Sequence, residues 1–309
     1  MFKDGFPNIE SYLPVKLAAK IAPRLNDQRL KEVLDDKLYF YLFFKQFNID
    51  TPKVLMYNHG ISFVRDGKTF KVANGSDFAK QLKELFDQNQ SSDSVIVKKI
   101  YASSKGCDIY KISSDQIESD PEQLNFIYEN IVRSEFLFQE TVKQHSVLNN
   151  LNPSSVNTIR IDTLLGSDGK ISVLSGYIRM SINDHFVDNI GSGGCMVGVD
   201  MESGRLHKYA KTDFNHNPTK LYTFHPITKT VFEGFQLPMI NEAKEMVERA
   251  AALIPGLRIV GWDVAIGENG PVIIEGNSDY GIRGNDLAYG GYLAHPELKK
   301  VLHEDLGLH

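Results

Sequence analysis

The stretch Arg258 to Asn277 constrains this chain most. Two apolar runs, Ile259 to Ile266 and Pro271 to Ile274, flank Gly267-Glu268-Asn269-Gly270. Asn-Gly between apolar runs predicts a β-hairpin. The hairpin sets two strands side by side and brings Asp263 and Glu275 within reach of one ion. Asn277 follows Glu275 by two residues, so in an extended strand both side chains leave the same face. Two carboxylates and an amide are the oxygen donors that a hard cation such as Mg2+ takes. The alternative is a surface hairpin whose acids are simply solvated, and the stretch by itself leaves both readings open.

The totals narrow the field. The chain has 309 residues, 42% hydrophobic and 24% charged, enough for one large domain or two to three lobes. Its net charge of −5 comes without a long basic tract, which argues against nucleic acid as the main partner. Cys107 and Cys195 are the only cysteines. They make neither a disulfide framework nor a zinc pattern, and a cytoplasmic location is expected. The start, Met-Phe-Lys-Asp-Gly-Phe-Pro, lacks a signal-peptide core, and no apolar run reaches the length of a membrane span.

Periodicity supplies the elements. A short amphipathic helix is expected over Leu13 to Ile21, and a longer one from about Asp27. Leu30, Val33, Leu34, Leu38, Tyr41 and Leu42 share one face of that helix. Lys37 falls on the same face, either snorkelling to solvent or pointing at a ligand. Strands are expected at Val54 to Tyr57, Ile61 to Val64 and Thr69 to Val72, then a helix capped by Ser76. Ser94 to Tyr101 reads as a strand carrying Lys98 and Lys99. It runs into the small-residue loop Ala102-Ser103-Ser104-Lys105-Gly106, which suits phosphate or is merely solvated. A helix opens at Ser119-Asp-Pro121, and Phe136 to Val142 is the next strand.

Asn157 to Leu165 and Ile171 to Met180 form a long hairpin carrying Arg160 and Arg179. An arginine embedded among apolar strand residues needs a partner, either a structural carboxylate or an anionic ligand. Asp188-Asn189-Ile-Gly-Ser-Gly193-Gly194 is a glycine-rich loop. Val197 to Asp200 and Leu206 to Lys211 make a further hairpin, with Lys211 either a phosphate neighbour or a surface lysine. His225 before Pro226 reads as a turn-capping histidine, and Arg283 and Tyr280 either bind an acceptor or pack the tail. A helix from Pro238 to about Ile254 precedes the opening hairpin, and a short one follows from about Pro296.

Singly these motifs are weak, but their order resembles the ATP-grasp superfamily from about Lys37 to Ile282. Within it the chain is most similar to the sugar-transfer-associated ATP-grasp family. The resemblance is carried by Asn157-Thr-x-Arg160, Arg179, Asp188-Asn189…Gly193-Gly194, His225-Pro226 and Gly261-Trp-Asp263…Ile-Glu275-Gly-Asn277. It implies an α+β fold in which two lobes grip ATP between antiparallel sheets, behind a short helical N-terminal extension. The lobes are expected at 51–145 and 146–309, after a helical segment at 1–50. Lys37 and Lys98 then resemble ATP-phosphate lysines, with Ser103 and Ser104 in the phosphate loop and Lys211 a further candidate. Gln139-Glu140-Thr-Val142 resembles the hinge whose backbone pairs with adenine. Arg160, Arg179 and Asn189 resemble the catalytic set that holds phosphate and acyl-phosphate oxygens. Asp263, Glu275 and Asn277 match the ligands of Mg2+, two ions being expected.

The implied activity is ATP-dependent joining of a carboxylate to an amine through an acyl phosphate, in polysaccharide or glycan-precursor modification. Transfer of the γ-phosphate to a hydroxyl is the alternative, and nucleotide binding without turnover is a third reading. Only 36 residues precede Lys37, fewer than the domain that often stands there in such ligases. The acceptor site is therefore expected to be shortened, completed by a partner, or open to a large substrate such as a glycan.

Overall fold

The computed structural model describes residues 8–89, 93–101, 108–182, 194–212 and 221–307. The chain divides into two compact units. One comprises residues 8–35, 46–50 and 143–307; the other comprises Asp36–Lys45 and Thr51–Val142. The stretch 1–50, expected as a segment of its own, is shared out between the two.

The smaller unit is a six-stranded sheet. Its strands are β1 (Val54–His59), β2 (Ser62–Arg65), β3 (Lys68–Lys71), β4 (Ser94–Lys99), β5 (Ile109–Ser113) and β6 (Glu135–Glu140). Their order is β3-β2-β1-β6-β4-β5, antiparallel throughout. Val95 and Val97 of β4, with Phe136 and Phe138 of β6, join Phe63, Phe78, Leu82, Leu85 and Ile127 in one buried core. Helices Gly75–Gln88 and Pro121–Ile131 supply its helical side. Each such side chain contributes roughly 1.5–3 kcal/mol by leaving water. Period-2 alternation then sends Lys98 to the face opposite Val97, beside Leu137 of β6 and Ile109 of β5.

The first of these helices is capped by Asn74 rather than Ser76. The Asn74 side chain accepts the Asp77 N–H at 2.9 Å, and Asp77 in turn accepts the Ala73 N–H at 3.2 Å. That reciprocal pair satisfies two end groups at once, which a serine two residues later cannot do. The helix expected from Asp27 is also broken. A 3-10 turn (Gln28–Leu30) and a short turn (Glu32–Asp35) precede a helix at Lys37–Lys45. Asp36 starts that helix afresh, its carboxylate accepting the Leu38 and Tyr39 N–H groups at 2.8 Å each.

The larger unit is a seven-stranded antiparallel sheet. Its strands are β7 (Thr158–Leu165), β8 (Ile171–Ser181), β9 (Gly194–Asp200), β10 (Arg205–Thr212), β11 (Leu221–Tyr222), β12 (Ile259–Gly267) and β13 (Gly270–Asn277). Their order is β11-β10-β9-β8-β7-β12-β13. Helix Ile240–Ala252 lays Ile240, Ala243, Met246, Val247 and Ala250 inward and packs on β7, β8, β12 and β13. Trp262 is fully buried, its indole N–H donating to Thr163 Oγ1 at 2.9 Å. Helix Val15–Leu25 joins Leu164, Leu174, Ile259, Tyr292, Leu298 and Val301 in a second core. Helix Arg283–Tyr289, which the tail's sequence does not announce, packs on β8 and β9. Among the described residues no helix is long and apolar enough to cross a membrane.

Candidate functional site

One face of the larger sheet gathers the polar side chains. β7 alternates Thr158, Arg160 and Asp162 with Ile159, Ile161 and Thr163, so the first three share a face. Strand register places Asp263 of β12 directly across from Arg160. Glu275 of β13 stands across from Asp263 on its other side. That second pairing depends on a β-bulge. The hairpin closes with Gly267 opposite Gly270, and unbroken register would set Ile274 against Asp263. A shift between Asp263 and Val264 sets Glu275 there instead. Bulges of this kind re-aim side chains at the rims of sites.

Asp263 is the centre of the face. It is 1% exposed, and both of its oxygens are engaged by arginine. Arg160 forks onto it, Nε to Oδ1 and Nη2 to Oδ2, the latter at 2.9 Å. Arg179 Nη2 reaches Oδ2 at 2.9 Å. Arg179 is itself held by Thr158, whose hydroxyl accepts Nε at 3.0 Å and Nη2 at 2.7 Å. The strand arginines therefore have a structural carboxylate as partner. Burial alone would raise the Asp263 carboxyl, but the charges of Arg160 and Arg179 outweigh it and hold it far below the ordinary carboxylate range. For Arg160, burial opposes the charge and Asp263 favours it, with the net shift upward. Both contacts are charge-assisted and that of Arg160 is bidentate, the strongest class of side-chain hydrogen bond.

Glu275 and Asn277 lie beside this cluster. The Asn277 amide nitrogen faces Gly261 O at 3.3 Å and Glu275 Oε1 at 3.5 Å. Its nitrogen is thus turned to the protein, which suits its oxygen to a cation. Among the described residues no three His, Cys, Asp or Glu side chains gather as a metal cluster. A cation here would rest on the mixed carboxylate–amide set. Glu275 and Asn277 would each supply an oxygen to such a set, and Asp263 would join it once its arginines release one.

Lys211 of β10 lies two strands from β8, opposite Met196, which pairs in turn with Arg179. Its amine donates to Leu287 O at 3.4 Å, and burial lowers its pKa. In the smaller unit, the Lys37 backbone N–H donates to Ile100 O at 3.1 Å, at the end of the strand that carries Lys98. Gln139 is buried and within the β6 ladder, its side-chain amide near Pro52 O at 3.4 Å. Glu140 exchanges bonds with Lys53. Thr141 and Val142 follow the last residue of β6, and the boundary between the units falls after Val142. Ser103, Ser104 and Asn189 lie outside the described residues.

His225 and His145 act as caps. His225 is buried; its Nδ1 accepts the Ile227 and Thr228 N–H groups at 3.3 Å each, and Nε2 donates to Ser181 O at 2.9 Å. Burial pushes its pKa down, so it is a neutral turn cap. His145 Nδ1 caps helix Ser146–Leu151, accepting the Val147 N–H at 3.2 Å. Asn157 is fully buried and ties Gln144 and Asn152 to the start of β7. Thr158 and Asp162 are functional candidates to which motif reading gave no role of their own, and Tyr280, read as binding an acceptor or packing the tail, proves to be buried against the sheet. The signal for the first two was present: they flank Arg160 at a spacing of two on a strand.

The larger unit carries a polar sheet face of paired arginines and carboxylates, and each of the two units is built on an antiparallel sheet with helices. The model of the family described as sugar-transfer associated ATP-grasp matches residues 16–302. The chain belongs to that family and has its ATP-grasp fold. Among solved structures it is similar to D-alanyl-alanine synthetase A from Vibrio cholerae, at 13% identity and a TM-score of 0.47, covering 81% of this chain and 57% of that one. D-cycloserine synthetase DcsG matches at 12% identity and 0.47, over 86% and 70%. The D-alanine–D-alanine ligase of Coxiella burnetii matches at 7% and 0.44, over 86% and 57%. The chain thus spans little more than half the length of two of these three proteins. No curated protein matches it.

Proposed function

We propose that this chain is an ATP- and Mg2+-dependent ligase that joins a carboxylate to an amine in the modification of a saccharide or its precursor. One observation carries the reading: Arg160 and Arg179 converge on Asp263, with Glu275 set across from it by a bulge. A purely structural ion pair needs one arginine and no second acid.

The chemistry follows from those residue types. A carboxylate oxygen attacks the γ-phosphorus, and the bond to the ADP oxygen breaks. The amine then attacks the acyl carbon, phosphate leaves, and the nitrogen loses a proton. Phosphoryl transfer asks a protein mainly for positioning and charge neutralisation. Arg160 and Arg179 present planar forks that match phosphoryl and carboxylate oxygens. Lys37, Lys98 and Lys211 offset phosphate charge. The backbone after Gln139 and Glu140, at Thr141–Val142, offers groups for the adenine edge. Glu275, Asn277 and Asp263 would hold Mg2+, two ions in the full reading, which when bound screen the β- and γ-phosphate charges.

The test is dependence on both substrates. The protein is incubated with MgATP, a panel of uronic acids and a panel of amino acids, and free phosphate is followed. Release that needs both a carboxylate and an amine is the expected result. A stable phosphorylated product formed without any amine sinks the ligase reading in favour of a kinase. Lys98→Ala should weaken ATP binding by about tenfold in calorimetric titration, as loss of one charge-assisted phosphate contact does.

A further inference from the structure

We propose that Tyr280 is a positioning residue that fixes the Arg160 guanidinium against Asp263, from a seat provided by Asp162 and Gly261. The activity arm of its test rests on the ligase reading; the geometric arm does not.

Arg160 and Asp162 leave the same face of β7, and β12 repeats their spacing. Asp263 stands opposite Arg160 and Gly261 stands opposite Asp162. Glycine leaves a gap in the row, and the Tyr280 ring fills it. A Cβ at Gly261 would lie 2.7 Å from Tyr280 Cγ and 2.9 Å from Cδ2. No side chain fits there while the ring is in place. From this seat the ring centroid is 5.9 Å from Arg160 Cζ, within cation–π range. Asp263 holds the edge of the guanidinium fork and Tyr280 offers a ring to its other side.

Asp162 fixes the ring. Its Oδ2 accepts the Tyr280 hydroxyl at 2.8 Å and the Tyr292 hydroxyl at 2.6 Å. Oδ1 accepts Asn285 Nδ2 at 2.9 Å and the Ser175 N–H at 3.1 Å. The carboxylate is fully buried, and the groups donating to it are neutral. Such a group costs several kcal/mol to keep away from water, and an apolar residue of similar size would fill the space at less cost. If the network only tied the tail to the sheet, Tyr292 would suffice. The Tyr280 bond adds a directional hold to a ring that packs on Gly261 and lies near Arg160. Burial first, and the Asp162 charge second, keep the Tyr280 phenol protonated and hence a donor.

The test reads the Arg160 Nε–H directly. Protein labelled with 15N-arginine is examined by NMR, the signal being assigned by its loss in Arg160→Lys. Hydrogen exchange of that proton with solvent should be at least about tenfold faster in Tyr280→Leu. It should be intermediate in Tyr280→Phe, which keeps the ring and loses the hydroxyl. Gly261→Ala should speed exchange in the natural chain and change nothing further when combined with Tyr280→Leu. Unaltered exchange in a folded Tyr280→Leu overturns the proposal. Should that variant fail to fold, Tyr280→Phe decides, and wild-type exchange in it overturns the proposal equally. In the activity arm Tyr280→Leu lowers kcat about tenfold with KM for ATP held within about threefold; a raised KM with unchanged kcat counts against positioning. A natural chain that turns over no ATP would refute the ligase reading, while exchange still decides the role of Tyr280.

Discussion

Asp263→Asn should destabilise the larger unit by about 3 kcal/mol, the low end of the 3–5 kcal/mol typical for breaking a buried ion pair. The carboxylate is 1% exposed, and the side chains of Arg160 and Arg179 are 9% and 16% exposed. Removing its charge leaves two guanidinia short of water. The low end applies because Glu275 already acts on Arg160 and remains, while Thr158 still accepts from Arg179. For a unit of this size the shift in Tm is roughly 6–12 °C. The sole tryptophan, Trp262, is buried next in sequence to Asp263. Its fluorescence during urea unfolding reports the larger unit. The sign with pH follows from a folded-state pKa depressed below the unfolded value. The contribution is present above the unfolded carboxylate pKa and is lost only as pH falls through the still lower folded one. The difference between the natural chain and the variant should therefore be flat from about pH 5 to 8. A second variant, Asp263→Asn with Arg160→Met and Arg179→Met, should recover much of the loss, since no unpaired charge is left buried. A loss under about 1 kcal/mol in the single variant, or no recovery in the triple one, would refute the account.

Three other outcomes follow from the same face. Burial raises Asp162 to about 6, above its unfolded value, so its contribution favours folding at low pH and is lost as pH rises through about 6. Urea unfolding should show stability falling by about 3 kcal/mol between pH 4 and 7 relative to Asp162→Asn; parallel pH curves for the two proteins contradict this. Thr158→Val keeps the shape and removes the oxygen that takes two Arg179 donors, which should cost about 1–3 kcal/mol in the same assay; a neutral effect means Arg179 is held elsewhere. Glu275→Gln should lower Mg2+-dependent ATP affinity by roughly tenfold or more in calorimetric titration, and turnover that survives within a few-fold removes Glu275 from the metal set.

The fold was legible wherever one residue pattern decides one element. Apolar runs on either side of a turn marked β7 with β8, and the Asn-Gly turn between apolar runs marked β12 with β13 as the closing hairpin. Other elements escaped because tertiary context made them, and β5 and the first long helix show how. β5, Ile-Tyr-Lys-Ile-Ser, has little alternation of its own and exists through its pairing with β4. The helix read from Asp27 has an unbroken apolar face, yet Asp36 recaps it, because a local carboxylate–amide bond outweighs a continued stripe. The candidate site was legible as a list of residues but not as a geometry. Motif spacing named Arg160, Arg179, Asp263 and Glu275. It could not show that the arginines close on Asp263, since partner choice across three strands depends on register. Nor could it show the bulge, because Ile273 and Ile274 are equally apolar and neither marks which one is passed over.

The register also settles the charge balance of the face, and that leads to a last prediction. Arg160 and Arg179 bring two positive charges onto the Asp263 carboxylate. A bare Mg2+ meets two guanidinium charges there, and the Asp263 oxygens it would take are already engaged. The proposed function therefore requires the cation to arrive with the nucleotide. ATP phosphates give the arginines a competing anion, an Asp263 oxygen is released, and the metal then gains its carboxylates. Magnesium chloride alone should leave the Tm within about 1 °C. MgATP at about a hundred times its Kd should add roughly 2.7 kcal/mol, a rise of several degrees. ATP with excess chelator should give a smaller rise than MgATP. Stabilisation by Mg2+ alone equal to that by MgATP would show that the carboxylates are free to bind metal without the nucleotide, contrary to the ion pairs on which this order of binding rests.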